Sequence, residues 1–317
     1  MPRIIITEWM PAAIERLRAA GEVIYEPSLW RARAQLCSLL ADCHALIVRN
    51  QTMVDAALLA YAPSLKVVGR LGAGLDNLDL PALRARGIVV VTGGQANAIA
   101  VAEYTIGAMI ALARRLLAAD RSTRSGDWER VAFGAGIELY GKTLGLIGLG
   151  DIGARVARRA LAFGMRVIAH DPLITPTHFA AAELGIALMS LDDVLRESDF
   201  VSLHLPLSPT TTNLINASRL ALMKPTAFLI NSSRGGIVDE AALAEALRAG
   251  RLGGAALDVR AQEPPPRDDP LAMQEGTLLT PHIAGLTVES QARVCTTVAD
   301  DVLRVLRGER PLFSALN

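Results

Sequence analysis

Apolar residues along this chain fall into two kinds of run. Short stretches rich in branched side chains, Ile4–Thr7, Val23–Tyr25, Ala45–Val48, Lys66–Arg70 and Ile88–Val91, alternate with helix-like stretches such as Pro11–Ala20 and Asp55–Tyr61. Strands separated by helices pair in parallel, so the alternation predicts βαβ units and a small α/β domain at the start of the chain. From Ile99 to about Arg121 apolar residues recur at helical spacing (Val101, Tyr104, Ile106, Met109, Ile110, Leu112), which predicts one long helix. A second alternation follows. Thr143–Ile147 reads as a strand, Ile152–Phe163 as a helix and Arg166–His170 as a strand, and Phe200–Leu205, Ala227–Asn231, Gly254–Leu257 and Thr277–Thr280 supply further strands. Asp239 is placed to cap a helix over Glu240–Ala249. The closing helical stretch, Val288–Arg307, is expected to return to the first domain and make it discontinuous. The expected fold class is therefore α/β with two doubly wound parallel-sheet domains, one at 1–98 together with 287–317 and the other, inserted into it, at 99–286.

Composition narrows the classes of function. The 317 residues carry 32 Lys+Arg against 32 Asp+Glu, a formal net charge of zero. That balance argues against nucleic acid or an anionic membrane surface as a partner. Hydrophobic residues make up 51% and charged ones 20%, far from the composition of a disordered chain. Cys37, Cys43 and Cys295 form neither a CxxC pair nor a Cys/His array, so no metal site and no disulfide framework are expected, and reduced thiols point to the cytoplasm. No run of 18 apolar residues occurs and the first residues lack a long apolar core, so the expectation is a soluble, unprocessed protein.

The candidate chemistry begins at Gly148-Leu149-Gly150-Asp151-Ile152-Gly153, directly after an apolar strand and at the start of a helix. In that context the first glycine permits a tight turn, the second lets backbone approach a pyrophosphate at the positive end of the helix, and the third lets helix and strand pack closely. Eighteen residues beyond Gly153, Asp171 ends the next strand. A carboxylate there accepts hydrogen bonds from ribose hydroxyls and repels a 2′-phosphate, which points to NAD over NADP. Three polar residues then follow successive strands: Arg234 in Asn-Ser-Ser-Arg-Gly-Gly, Glu263 in Ala-Gln-Glu-Pro-Pro-Pro and His282 in Thr-Pro-His-Ile-Ala-Gly. Singly, a loop Arg or Glu is most often a solvated charge and a lone His most often structural. Together, at strand ends that converge on a ligand crevice, they suit hydride transfer at a carbon bearing oxygen. The cation holds a carboxylate and polarises a carbonyl, while the imidazole, its protonated form favoured by the neighbouring carboxylate, exchanges the hydroxyl proton.

An ordered series of motifs resembles the D-isomer-specific 2-hydroxyacid dehydrogenases, a family that includes phosphoglycerate dehydrogenase. The series is Val-Gly-Arg-Leu-Gly-Ala-Gly-Leu-Asp-Asn at 68–77, Val-Ala-Glu-Tyr-Thr at 101–105, Gly-Lys-Thr-Leu-Gly-Leu-Ile-Gly-Leu-Gly at 141–150, His-Leu-Pro-Leu at 204–207, Asn-Ser-Ser-Arg-Gly-Gly-Ile-Val-Asp at 231–239, Ala-Leu-Asp-Val at 256–259 and Thr-Pro-His-Ile-Ala-Gly at 280–285. The resemblance implies a Rossmann NAD-binding domain inserted into a smaller flavodoxin-like substrate domain. It implies that Arg234 binds the substrate carboxylate and keto oxygen, that His282 is the acid/base and that Glu263 is its partner. Asp258 and the backbone at Ser232 would meet the nicotinamide carboxamide, with Gly148, Gly150, Asp151, Ile152, Gly153, Asp171, Leu205 and Gly285 completing the cofactor site. The Gly72-Ala73-Gly74 loop, through Ala73 and Gly74, would hold the substrate carboxylate, and Arg49 and Asn50 would meet the substrate side group. Glu263 stands where formate dehydrogenases of the wider family carry Gln, which favours a hydroxy acid. A chain ending at Asn317 leaves no room for the C-terminal regulatory domain of many phosphoglycerate dehydrogenases, so feedback by serine is not expected. The implied protein is an NAD-dependent homodimer, joined in part through the long helix with Trp128 nearby, acting on a small D-2-hydroxy acid or 2-keto acid. Arg49 is compatible with a second anionic group, such as phosphate or sulfonate, on that acid. The competing reading is an NAD-sensing, corepressor-like binding protein on the same fold.

Overall fold

Branched apolar residues restrict side-chain rotation and pack well on a pleated surface, and every run of them noted above is a strand in the computed structural model, which describes residues 1–315. The chain divides into two units, Met1–Asn97 with Leu286–Asn317, and Ala98–Gly285. The expected segment 287–317 ends in Leu316 and Asn317, which lie outside the described residues.

In the first unit, strands β1 (Arg3–Ile6), β2 (Glu22–Tyr25), β3 (Ala45–Val48), β4 (Val67–Arg70) and β5 (Val89–Thr92) form one sheet in the order β2-β1-β3-β4-β5. All of its strand pairs run parallel. β3 and β4 are buried at every position, as parallel strands covered on both faces must be. The helix Val288–Leu306 returns to this unit and packs Val294, Val298, Ala299 and Val302 against Ile47, Val67 and Val91. Its start is fixed by a capping box in which the Thr287 hydroxyl accepts from the Ser290 amide while Ser290 reaches back to the Thr287 amide. The Asp301 carboxylate, buried on this helix, accepts from the amides of Leu312 and Phe313 at 2.8 Å each. The chain's end is thereby laid along the open edge of β5, where Val91 and Ser314 form an antiparallel bridge.

The second unit contains β6 (Thr143–Ile147), β7 (Arg166–His170), β8 (Ala187–Leu188), β9 (Phe200–Leu203), β10 (Phe228–Asn231), β11 (Gly254–Leu257) and β12 (Thr277–Leu279) in the order β12-β11-β10-β9-β6-β7-β8, again all parallel. The chain enters at β6, builds outward to β8, then crosses to β9 and builds the other way. The loops after β6 and β9 therefore diverge at a topological switch point, where α/β sheets bind ligands. Phe200 on β9, fully buried, stacks on Phe228 of β10 with ring centroids 5.2 Å apart.

The single helix expected over 99–121 is two. Ala98–Ala113 is largely buried, Leu116–Arg124 has no buried residue, and between them Arg115 takes a left-handed conformation at φ 49°. Apolar periodicity runs through this break and does not report it. Local tethers account for it: the Arg115 guanidinium donates to the Ala132 carbonyl at 3.0 Å and lies 5.2 Å over the Phe133 ring, and the Ile137 amide bonds the Ala113 carbonyl at 2.9 Å. The two-residue strand β8 is too short to leave a pattern in the sequence.

Truncating the stacked ring should expose the importance of this core. Phe200→Ala removes a large buried side chain and is expected to lower unfolding stability by about 3–5 kcal/mol in chemical denaturation. A loss under about 1 kcal/mol would mean that the space between β9 and β10 collapses around the smaller residue.

Candidate active site

Because β10, β11 and β12 are neighbours and parallel, the residues following them emerge at one edge of the second unit's sheet. Arg234 leaves β10, Asp258 and Glu263 leave β11, and His282 leaves β12. Each is held by its own local device. The Asn231 side chain, at the last position of β10, donates to the Arg234 carbonyl at 2.9 Å and accepts from the Ser233 amide and hydroxyl at 3.0 and 2.8 Å, closing the turn that carries the guanidinium. Gly235 lets the next loop approach, since a Cβ there would stand 1.9 Å from the carbonyl carbon of Arg260.

That next loop carries Glu263. The Arg260 guanidinium, almost fully buried, forms a two-pronged pair with Asp269 at 2.6 and 2.9 Å and reaches Glu240 at 2.8 Å. Fork-to-fork pairing of this kind fixes direction as well as distance. The Arg260 amide donates to Glu263 Oε1 at 3.1 Å, and Glu263 Oε2 meets Nδ1 of His282 at 2.8 Å. Burial alone would push the Glu263 carboxyl up. The hydrogen bonds from His282 and Arg260 and the charges of His282 and Arg234 outweigh burial and hold it below the usual glutamate value. The sequence-derived set of Arg234, Glu263 and His282 is thus gathered at one sheet edge.

His282 takes a left-handed backbone at φ 59°, a conformation costly for any residue with a Cβ and stable only where its surroundings over-determine it. Asp258 supplies those surroundings. Its own carbonyl accepts the His282 amide at 2.7 Å, while Oδ1 accepts from the Thr280 hydroxyl at 2.6 Å and the Ile283 amide at 2.8 Å, and Oδ2 from the Ala284 amide at 2.7 Å. Burial raises the Asp258 carboxyl above the ordinary aspartate value, and these donors with the His282 charge offset only part of that. Thr280 is in turn bonded to the Tyr104 hydroxyl at 2.6 Å. Sequence reasoning singled out neither Tyr104 nor Thr280 as a site residue, although each lies inside a quoted motif.

The glycine turn sits at the switch point. Gly148 has φ 96°, and a Cβ on it would fall 2.2 Å from the His204 carbonyl oxygen. A Cβ on Gly153 would fall 2.2 Å from the Gly148 carbonyl oxygen, whereas one on Gly150 would meet nothing within 4 Å. Gly150 is the N-cap of the helix Asp151–Ala162 and offers no side chain to its first-turn amides. Open space over Gly150 and uncapped amides beneath it fit a dinucleotide pyrophosphate. Asp171 braces the turn, accepting from the Leu149 amide at 2.8 Å and the Leu173 amide at 2.9 Å. Beneath lies a half-buried His204, pushed down to about 4 by desolvation and bonded to the Ser202 hydroxyl at 2.9 Å. Ile152 and Asp151 begin the helix, Ser232 follows β10, Leu205 follows β9 and Gly285 ends the unit. Among the described residues no cluster of three or more His, Cys, Asp or Glu could hold a metal.

In the first unit, Arg49 and Asn50 follow β3, and Ala73 and Gly74 follow the neighbouring β4. The buried Glu8 carboxylate accepts from the amides of Arg49, Asn50, Gln51 and Thr52 at 2.8–3.2 Å and so fixes their loop. The Arg49 guanidinium donates through Nε and Nη2 to the Trp9 carbonyl at 3.2 and 3.1 Å and lies 5.3 Å over the Trp9 ring.

Comparison with known proteins agrees with this architecture. Residues 106–284 match the family described as D-isomer specific 2-hydroxyacid dehydrogenase, NAD binding domain. The D-3-phosphoglycerate dehydrogenase of Mycobacterium leprae is 46% identical over 277 residues, covering 87% of this chain and 52% of that protein. This chain therefore spans about half the length of several of the curated relatives it matches. The (S)-sulfolactate dehydrogenase of Chromohalobacter salexigens is 45% identical over 307 residues, which is 96% of this chain and 99% of the relative. The crystal structure of the TT0316 protein from Thermus thermophilus superposes with a TM-score of 0.92 at 37% identity, over 99% of both chains. The chain belongs to the D-isomer specific 2-hydroxyacid dehydrogenase family.

Proposed function

We propose that this protein is an NAD-dependent oxidoreductase that interconverts a small D-2-hydroxy acid and its 2-keto acid. The observation that carries the proposal is the His282–Glu263 pair at 2.8 Å with the charge of Arg234 beside it, at the strand ends of an NAD-binding domain. Arg234 pairs with the substrate carboxylate and draws electron density from the keto oxygen. Glu263 occupies Nδ1 of His282 and thereby aims Nε2 at that oxygen, to which the protonated ring gives its proton in reduction and from which the neutral ring takes it in oxidation. NADH, when bound, supplies the hydride to C2 of the keto acid. Gly150 and the amides of Asp151, Ile152 and Gly153 would hold its pyrophosphate, Asp171 its adenosine ribose, and Ser232 and Asp258 its carboxamide, with Leu205 and Gly285 lining the site.

Within the first unit, the amides of Ala73 and Gly74 would hold the substrate carboxylate, and Arg49 with Asn50 would meet its side group. The two named relatives act, by their names, on acids with a phosphate or a sulfonate as a second anionic group. A guanidinium at Arg49 suits either. The proposed substrate is therefore a three-carbon 2-keto or 2-hydroxy acid with a second anion. The three cysteines are unpaired, which supports a reducing compartment such as the cytoplasm.

We also propose a homodimer. The long helix expected to form its interface is largely interior over Ala98–Ala113. The apolar surface lies beyond it: Leu116 and Leu117 are about half exposed, and Trp128, Val131 and Tyr140 are more than three-quarters exposed. These exposed apolar side chains support an association surface there.

A panel of 2-keto acids with NADH, followed by absorbance and including phosphate- and sulfonate-bearing three-carbon acids, tests the activity. At least one acid should drive NADH oxidation, and His282→Ala should lower that turnover by about 10²–10⁴-fold while NADH binding is kept. No oxidation with any acid would favour a cofactor-sensing binding protein instead. At the glycine turn, Gly150→Ala should fold with wild-type stability but bind NADH at least about tenfold more weakly, because its methyl group fills the pyrophosphate's space. Gly153→Ala should lose thermal stability as well; equal behaviour of the two variants would contradict the assigned roles. Light scattering at micromolar concentration should give twice the chain mass, and a monomeric mass would remove the dimer.

A further inference from the structure

The bond between Tyr104 and Thr280 joins residues 176 positions apart and continues into the carboxylate that organises the His282 loop. We infer that Tyr104 is a positioning residue for His282, acting through Thr280 and Asp258; the inference rests on the activity proposed above.

The direction of each hydrogen bond follows from counting protons. Thr280 Oγ1 has one hydrogen, and it is donated to Asp258 Oδ1 at 2.6 Å. Thr280 Oγ1 can then only accept, so the 2.6 Å contact to Tyr104 is a donation from the phenol. The phenol is suited to this at every working pH. Burial pushes it up to about 12, with the charge of Asp258 adding to the rise against the hydrogen bond to Thr280, so it stays protonated. The sequence of donors is therefore Tyr104 to Thr280 to Asp258, all pointing at the buried charge. A hydroxyl that accepts a hydrogen bond becomes a better donor, so Tyr104 tightens the Thr280–Asp258 contact without touching the carboxylate.

What Asp258 holds is the loop that bears His282. Its side chain binds the Ile283 and Ala284 amides and its carbonyl binds the His282 amide, on either side of the left-handed φ of 59°. Histidine tolerates that conformation better than most residues with a Cβ, but it still carries a cost, which the bonds on its flanks offset. Tyr104 itself is anchored, since its helix Ala98–Ala113 buries Val101, Thr105, Ile106 and Met109 in the core. The phenol thus carries the position of a packed helix to a strained loop, and the ring of His282 inherits it. Tyr104 is partly buried and its hydroxyl makes no other hydrogen bond among the described residues, which leaves this donation as its polar task.

The experiment compares wild type with Tyr104→Phe, Thr280→Val, Thr280→Ser and the Tyr104→Phe/Thr280→Val double variant, using the keto acid that the wild type reduces best. Tyr104→Phe should lower kcat by about three- to tenfold, the effect of one neutral hydrogen bond, with KM for the keto acid within about twofold. Thr280→Val should lose at least as much. The double variant should lose no more than Thr280→Val alone, since the phenol acts only through the threonine hydroxyl. Thr280→Ser, which keeps the hydroxyl, should stay within about twofold of wild type, a rescue that loss of packing would not produce. Amide exchange at Ile283 and Ala284 should quicken by about three- to tenfold in Tyr104→Phe. That last measurement does not depend on turnover. An active wild type whose Tyr104→Phe variant keeps its kcat, or a double variant whose loss is the product of the two single losses, overturns the inference alone. Unchanged exchange at Ile283 and Ala284 overturns it too. A wild type that reduces no 2-keto acid overturns the parent reading, and the exchange data then still decide whether Tyr104 holds the loop.

Discussion

A carboxylate buried as deeply as Asp258 must find donors within reach, because an ionised group shielded from water and left unpaired would cost several kcal/mol. The donors it finds are the hydroxyl of Thr280 and the amides of Ile283 and Ala284, all on the segment that leaves β12. Satisfying Asp258 therefore folds that segment back across the end of β11 and turns His282 into its left-handed conformation. Glu263 can meet the imidazole only because the ring has been placed there. A requirement of solvation thus becomes a requirement of loop geometry, and the same charge that needs the loop gives the loop its shape.

The other half of the pair is placed by a second buried ion cluster. Arg260, Asp269 and Glu240 fix the loop after β11, and the Arg260 amide steadies one oxygen of Glu263 while the other faces His282. The two residues of the pair are consequently supported from opposite sides. His282 hangs from Asp258, and Glu263 hangs from the Arg260 cluster. Two separate frameworks thus converge on one 2.8 Å contact, each fixing one partner of it.

Much of this was readable in the amino-acid order. Strands such as Ala45–Val48, Thr143–Ile147 and Gly254–Leu257 have the bounds their apolar runs suggest, because a fully buried parallel strand admits almost nothing else. Asp239 caps its helix as its position implies, accepting from the Ala242 amide. Arg234, Glu263 and His282 stood out as candidates because each follows a legible strand. The break at Arg115 was not, since it depends on tethers to Ala132 and Phe133 that periodicity cannot register. Tyr104 was hidden for a related reason. On its helix it reads as one more large residue of the buried face, and only the fold brings its hydroxyl to a threonine on the far side of the sequence.

The loop after β3 takes its shape from a residue outside it. Four successive amides, from Arg49 to Thr52, close around the carboxylate of Glu8, an anion supplied by the protein itself. None of the four bonds uses a side chain of the loop, so its path is set by Glu8, while the Arg49 side chain keeps its own tie to the Trp9 carbonyl. A single anchor at Glu8 thus governs the main chain from Arg49 to Thr52, and its loss would release four amides at once.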